Sequence, residues 1–195
     1  MKLSLLLLIG LFAMASLNAQ DTPLPLREIP AAPESYSSGS VLARMIEGLG
    51  YRYYWATEGL REEDLTYKPS EDARNTDETL DHLLGLSFAV YCSAKSIPRE
   101  SKELGELSLE EKRRMTLENL AQAAEMLRGK TEAEVAELSI VFKRGENESE
   151  FPYWNMINGP IADAIYHTGQ VVSFRRASGN PMNPGVNVFT GKTRE

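Results

Sequence analysis

The stretch NTDETLDHLL, residues 75–84, combines a helix start with one of the chain's two histidines. Asn75 and Glu78 have the spacing of a capping box, in which each side chain accepts a hydrogen bond from the other residue's free backbone amide. The apolar residues that follow recur at helical spacing: Leu83, Leu86 and Val90. The pattern predicts a helix that ends before Pro98 and carries His82 on the flank of its apolar stripe.

Two further helices are predicted on either side of this one. The first covers residues 38–60, and its apolar face consists of Val41, Leu42, Met45, Ile46, Leu49 and Tyr53. The other begins at a second capping box, Ser108 with Glu111, and ends near Gly129. Its apolar face consists of Leu117, Leu120, Ala124 and Leu127.

The last helix is predicted from about Trp154 to Ser178. Pro160 either kinks this helix or marks its true first turn, in which case Asn158 is the cap. Before it, LSIVFKRGENESEFP (residues 138–152) alternates apolar and polar residues around a turn, as a β-hairpin does. The fold class predicted is therefore all-α: a four-helix bundle with a short β-hairpin before the last helix.

The ends of the chain predict four segments. Residues 1–19 have a basic start and an apolar run, as in a signal peptide cleaved near Ala19, which predicts an exported protein, periplasmic or secreted. The alternative is an uncleaved N-terminal anchor. Residues 20–37 form a Pro-rich leader that either lies extended on the domain or stays mobile. The helical domain is expected to span residues 38–182, and residues 183–195 to form an irregular tail.

Charge and cysteine content exclude several classes of partner and bond. The net charge of −7 argues against nucleic acid and against a stable association with anionic membrane, because both require basic patches. Cys92 is the only cysteine, so no disulfide can form within the chain, and its apolar surroundings predict a small buried side chain.

The segment DAIYHTGQ, residues 163–170, places an acid and the second histidine one helical turn apart. With Asp163 at 0° on a helical wheel, His167 falls at about 40°, at the edge of the apolar arc. Both side chains can therefore face the interior while the helix still packs. The alternative is a polar pair satisfied inside the core, since a histidine beside a core is more often bonded to a backbone carbonyl than to a metal.

His82 offers a third ligand from a different helix. Two imidazoles and one carboxylate, His82, His167 and Asp163, leave coordination positions open, which suits catalysis better than a closed structural site. The donor set is compatible with one divalent ion: zinc, nickel, iron or manganese.

Two parts of the chain resemble the motifs of the DinB / YfiT-like family of metal-dependent enzymes. They are LTYKP (residues 65–69) followed by NTDETLDHLL, and DAIYHTGQVVSFRRASGNP (residues 163–181). The family's first motif corresponds here to Tyr67, Pro69 and His82. Its second motif corresponds to Asp163, His167, Gly169, Gln170, Arg175, Arg176 and Gly179. The resemblance covers residues 38–182 and implies a DinB-like four-helix bundle with a metal at His82, Asp163 and His167.

Two features depart from the family pattern. Asp163 stands where most members have a histidine; some mycothiol-dependent relatives also carry a carboxylate there, and the change favours harder cations. The signal peptide would separate the chain from the cytosolic thiols that characterised members use, so thiol transfer is not carried over.

Several side chains are candidates for a pocket near the metal. The aromatic run Tyr51, Tyr53, Tyr54 and Trp55 fills a core, forms a homodimer face or lines this pocket. Other candidates lie around the second motif: Trp154, Asn158 and Gln170.

These residues lead to one functional hypothesis and two alternatives. The hypothesis is an exported metal-dependent hydrolase or group transferase that acts on a small molecule, with a metal-bound water or substrate group as the nucleophile. The first alternative is a non-catalytic metal- or ligand-binding module that can form a homodimer. The second is a purely structural Asp163–His167 pair.

Overall fold

A computed structural model describes residues 23–100 and 106–194, and more than half of these are helical. The predicted signal peptide lies outside the described residues. The helices are α1 (Ser38–Thr57), α2 (Glu62–Leu65), α3 (Thr76–Ala94), α4 (Leu109–Leu127), α5 (Glu132–Ala136), α6 (Trp154–Met156) and α7 (Ala162–Ala177), with a π-helical segment, Ile157–Ile161, between the last two. The strands are β1 (Arg99–Glu100), β2 (Ser139–Arg144), β3 (Asn147–Pro152), β4 (Val186–Asn187) and β5 (Lys192–Thr193).

The predicted capping boxes set the starts of α3 and α4. Asn75 Oδ1 accepts from the Glu78 amide at 2.8 Å, and Glu78 Oε2 accepts from the Asn75 amide at 2.8 Å. Ser108 and Glu111 exchange the same two bonds at the start of α4. Both helices therefore begin where their capping residues satisfy amides that the helix itself leaves free.

Helices α3 and α4 run parallel. Near their starts, the buried ammonium of Lys112 lies 2.7 Å from Asp77 and 2.8 Å from Asp81. Further along both helices, the Asn119 amide donates to the Ser87 hydroxyl at 3.1 Å. Because α3 and α4 are consecutive and parallel, the chain must return along the length of α3 before α4 begins. This connection contains β1.

Helix α1 runs antiparallel to α4. Arg113, near the start of α4, donates to the Thr57 hydroxyl at the end of α1. Arg128, just after α4, donates at 2.7 Å to the buried carboxylate of Glu47, which lies in the first half of α1. Charge-assisted hydrogen bonds thus join α1 to α4 near the start of α4 and just after its end.

Helix α7 runs antiparallel to α3. The ring of Tyr67, before α3, packs on Phe174 near the end of α7, with ring centroids 5.7 Å apart. One to two turns into α3, His82 meets Asp163 and His167 in the first half of α7. This direction brings the two predicted motifs to one place.

The core lies between α1, α3, α4 and α7, with the hairpin at one side. Its largest fully buried aliphatic side chains are Ile46, Leu49, Leu80, Leu83, Leu117, Leu120, Leu127, Met156 and Ile161. Most of them belong to the predicted apolar stripes, so the helical periodicity of the sequence identified the buried faces.

The predicted hairpin forms the main part of a small sheet. Strands β2 and β3 pair antiparallel, with Ile140 opposite Phe151 and Arg144 opposite Asn147. Strand β1 adds to β2 in parallel, which the sequence did not indicate because the strand has only two residues.

The chain bends at Gly159 and Pro160 before α7. Gly159 has non-helical backbone angles, and Pro160 has no amide to continue the helical hydrogen bonding. Regular α-helix resumes at Ala162, so Pro160 separates two helical pieces. Asn158 forms no side-chain cap, because the chain enters α7 through helical residues.

Both ends of the described chain pack on α1. Ile29 of the leader is buried with Tyr51 and Trp55, and Trp55 Nε1 donates to the Arg27 carbonyl at 3.1 Å. The leader therefore lies on the domain, which is the first of the two possibilities that its sequence left open.

The tail, for which the sequence predicts an irregular segment, contains two short strands. Strands β4 and β5 form a two-stranded antiparallel ladder. The Thr193 hydroxyl lies 2.8 Å from the Tyr51 hydroxyl, and the Ile29 amide donates to the Gly191 carbonyl. These long-range contacts have no local sequence pattern, which explains why the strands were not predicted.

Within residues 23–100 and 106–194, no helix combines the length and the apolar character needed to cross a bilayer.

Candidate metal centre

Three predicted ligands from two helices meet at one point on the surface of the helical domain. His82, Asp163 and His167 each offer a ligand atom, and these atoms all lie within 4.8 Å of one another. His82 lies in α3, and the other two lie one turn apart in α7. The sequence predicted this group of residues, and the structure brings all three together.

The separations between ligand atoms suit a single ion. Nε2 of His82 lies 3.0 Å from Oδ2 of Asp163, and Nε2 of His167 lies 3.3 Å from Oδ1 of the same carboxylate. Ligands at the corners of a zinc tetrahedron, with bonds of 2.0–2.1 Å, are about 3.3 Å apart. Both imidazole rings therefore present Nε2 to the carboxylate. The two rings meet edge to face, with 4.6 Å between their centroids.

Gln170 orients His167. Its side-chain oxygen lies 2.6 Å from Nδ1 of His167, and because an amide oxygen only accepts, Nδ1 is the donor. Nε2 of a neutral His167 then presents a lone pair toward Asp163. Two acceptors at 3.3 Å repel each other unless positive charge lies between them, as a metal ion or as a proton on Nε2.

This hydrogen bond is the arrangement that metal-binding histidines usually have. A ligating imidazole donates its second N–H to an oxygen that fixes its tautomer and its ring orientation. The donor set, the ligand separations and the Gln170 contact therefore all fit a divalent metal ion.

The centre opens to solvent on one side. The Asp163 side chain is 41% exposed and that of His82 is 31% exposed, whereas that of His167 is 13% exposed. His167 is thus the least exposed of the three ligands, and a small molecule can approach from the side of Asp163. Such access is a property of catalytic metal sites more than of closed structural ones.

Tyr166 is a neighbour of the centre that sequence reasoning missed. Its ring is 64% exposed and packs edge to face on His167, 5.1 Å between centroids. The Gln170 amide nitrogen lies 3.5 Å from its hydroxyl. The available signal was the spacing of Tyr166 and Gln170, which lie one helical turn apart.

No described contact joins the other predicted pocket residues to the candidate ligands. Tyr54 packs under the guanidinium of Arg113, and Trp55 is buried against the leader. Trp154 lines a separate cavity that contains none of the three candidate ligands. Asn158 is exposed in the π-helical segment. Among the predicted pocket residues, Gln170 is the one with a described contact to a candidate ligand.

The aromatic run on α1 is mostly covered within the chain. Tyr51, Tyr53 and Trp55 are all at most 6% exposed, and only Tyr54 is half-buried. Three of the four rings therefore serve the core rather than a surface for a second copy of the chain. The homodimer stays a prediction.

Arg175, a position of the second motif, supports the fold at a distance from the centre. This buried guanidinium donates to the carbonyls of Trp55, Ala56 and Glu58, which terminate α1. Burial lowers the pKa of Arg175, and the nearby carboxylate of Asp64 opposes that effect. Arg175 thus supplies the bonds that the last carbonyls of α1 lack.

Comparisons of the chain with family models, with curated proteins and with solved structures give no match, so the candidate centre is interpreted from its own geometry.

Proposed function

We propose that the chain is an exported DinB-like four-helix bundle that binds one divalent metal ion and acts as a hydrolase or group transferase on a small molecule. The bundle would consist of α1, α3, α4 and α7. The metal ligands would be His82, Asp163 and His167.

One observation carries the proposal: two histidines and a carboxylate converge from helices some eighty positions apart in sequence, and Gln170 orients His167, the less exposed of the two histidines. The chain has only two histidines, and both lie in this group. A structural pair alone would not require the second imidazole.

Each residue has a distinct role in the proposed site. His167 is the rigid ligand, because packing and Gln170 hold its ring. His82 adds a neutral ligand from α3, and Asp163 supplies the single negative charge of the ligand set. Tyr166, exposed beside the ring of His167, is placed to contact a bound molecule through its hydroxyl.

A divalent ion with open coordination positions supplies Lewis-acid chemistry, which lowers the pKa of a coordinated water, hydroxyl or thiol toward neutrality. The chain's own residues would hold and orient the small molecule at the exposed side of Asp163. Because both histidines serve as ligands, the general base of such a reaction would not be an imidazole.

The metal is tested by elemental analysis of the purified chain after loading with zinc, nickel, iron(II) or manganese(II) and desalting. We expect about one ion per chain, and loss of that ion in His167→Ala and in His82→Ala. Asp72→Asn is the control, because Asp72 is an exposed acid that is not one of the three candidate ligands. An equal, trace metal content in the unmodified chain and all three variants would contradict the metal site. It would favour the alternative in which Asp163 and His167 form a purely structural pair.

Turnover separates an enzyme from a binding module. The loaded chain would be assayed on ester, amide and thiol-acceptor substrates with and without chelator. Chelator-sensitive turnover that His167→Ala abolishes supports the enzyme. Stoichiometric metal without turnover on any substrate class would favour the non-catalytic alternative.

A further inference from the structure

A second ligand-sized cavity lies outside the metal centre. It has a volume of about 470 Å³ and is lined by the first half of α1, α5, the end of β3, α6 and the start of the π-helical segment. This volume is within the range of pockets for small organic molecules. None of the three candidate metal ligands lines it, so its role is independent of the proposed metal chemistry.

The cavity is lined mainly by apolar and aromatic side chains. Three of the exposed large apolar residues among those described converge on it: Tyr36 is 95% exposed, Trp154 is 78% exposed and Val41 is 46% exposed. Leu42, Met45 and Ile157 are among the other apolar residues of its wall. Exposed apolar residues that cluster around one cavity indicate a binding site, whereas isolated ones do not.

Glu132 gives the cavity its charge. It is the one lining residue with an acidic or basic side chain among those that the structure describes. Its neighbour Glu134 is occupied in the capping box of α5, where it accepts from Thr131, but no described ion pair involves Glu132. Burial raises the pKa of the Tyr153 phenol, so this residue stays uncharged and adds nothing to the negative potential.

An apolar cavity with two exposed aromatic rings and one carboxylate favours a particular class of ligand. The faces of tyrosine and tryptophan attract cations through their ring quadrupoles, and tryptophan does so most strongly. A carboxylate at the same cavity attracts a cation and repels an anion. The net charge of −7 works in the same direction over longer distances.

We propose that this cavity binds a small organic cation, an alkyl- or arylalkylammonium ion whose apolar part packs on Leu42 and Met45. Its charged nitrogen lies near Glu132 and the rings of Tyr36 and Trp154.

Trp154 provides a direct signal for the test. The chain has two tryptophans, and Trp55 is only 6% exposed. A ligand-induced change in the emission of the solvent-exposed tryptophan therefore reports on Trp154. The full chain would be titrated with benzyltrimethylammonium, with 3-phenylpropionate as the anion of similar size and with benzyl alcohol as the neutral probe. We expect saturable binding of the cation, about 10-fold tighter than that of the anion.

Variants test the source of the preference. Glu132→Gln should bring the affinities for the cation and the anion to within about threefold, because the carboxylate discriminates between them. Glu137→Gln, an exposed acid on the same short segment that does not line the cavity, should leave both affinities unchanged. Val41→Arg places a cation at the cavity. It should weaken binding of the ammonium ion more than Glu132→Gln does.

The outcomes separate this proposal from the proposed metal chemistry. Cation binding that persists in His167→Ala supports an independent site. Absence of saturable binding, equal affinity for the cation and the anion, or a Glu132→Gln variant that binds like the unmodified chain would overturn the proposal. Binding that is lost in His167→Ala would overturn the independence of the two sites.

Discussion

At the scale of single residues, His167 is held on both sides of its ring. Gln170 accepts from Nδ1 at 2.6 Å, and Tyr166 packs against the ring. This support gives Nε2 one direction, toward Asp163. A histidine with this much support has a fixed ring before any ligand arrives, which reduces the entropy lost on binding a metal.

Gln170→Leu tests this support. Loss of the acceptor frees the tautomer and the ring of His167, so we expect metal affinity to fall by about 10- to 100-fold. Gln170→Glu keeps an acceptor at the same position and should retain most of the affinity. Competition with a chromophoric chelator measures the change.

Gln122→Leu is the matched control, because Gln122 is exposed on α4. Its metal affinity should equal that of the unmodified chain. If Gln170→Leu also binds metal at the original affinity, then Gln170 does not orient the ligand.

At the scale of the elements, the start of α3 fixes the position of His82. The Asn75–Glu78 capping box ends the preceding turn and begins the helix at Thr76. A helix that begins one residue later or frays at this end would alter the support beneath His82. Lys112 fixes the other face of the same segment, through Asp77 and Asp81.

Asn75→Ala should lower the free energy of unfolding by about 1 kcal/mol, because the Glu78 amide loses its acceptor. Asn75→Asp should be close to neutral, since an aspartate caps equally well and favours the positive end of the helix. Urea denaturation followed by circular dichroism measures both.

Asn155→Ala is the control for this substitution. Asn155 is exposed in the short helix α6, so its replacement should change stability by less than about 0.5 kcal/mol. A loss for Asn75→Ala no larger than that of the control would show that the capping box does not stabilise α3.

At the scale of the whole molecule, a buried carboxylate joins the segment after α1 to the end of α7. Asp64 accepts from Arg61, from the Ser178 hydroxyl and from the Asn180 amide. Burial alone would raise the pKa of Asp64, but these hydrogen bonds together hold it well below its ordinary range. At the same end of the molecule, Arg175 donates to the Ala56 carbonyl in the last turn of α1.

The depressed pKa of Asp64 predicts how stability depends on pH. Below about pH 4 the unfolded chain takes up a proton at Asp64, and the folded chain does not, so stability falls as the pH falls. The stabilisation is fully present near neutral pH. Asp64→Asn should lose about 1–3 kcal/mol at pH 7 and show a shallower decline between about pH 4 and pH 2.

Urea denaturation at a series of pH values measures this decline. Asp72→Asn serves as the control, because Asp72 is exposed and should leave the pH profile unchanged. A profile for Asp64→Asn as steep as that of the unmodified chain would show that other carboxylates account for the acid sensitivity.

Local patterns in the sequence determined much of this protein. The capping boxes at Asn75 and Ser108 gave the starts of two helices, and the apolar periodicity gave the buried faces. Helical spacing placed Asp163 and His167 on one flank of α7. These features depend on neighbours within one or two helical turns, and such short-range geometry is contained in the order of the residues.

Only the tertiary structure decided which distant residues meet. His82 reaches Asp163 because α3 and α7 run antiparallel at a register set after the break at Pro160. The leader and the tail cover Tyr51 and Trp55 through contacts between opposite ends of the described chain. No local pattern encodes such pairings, because they arise from packing complete helices against one another. That packing sealed the core and brought the three candidate metal ligands together.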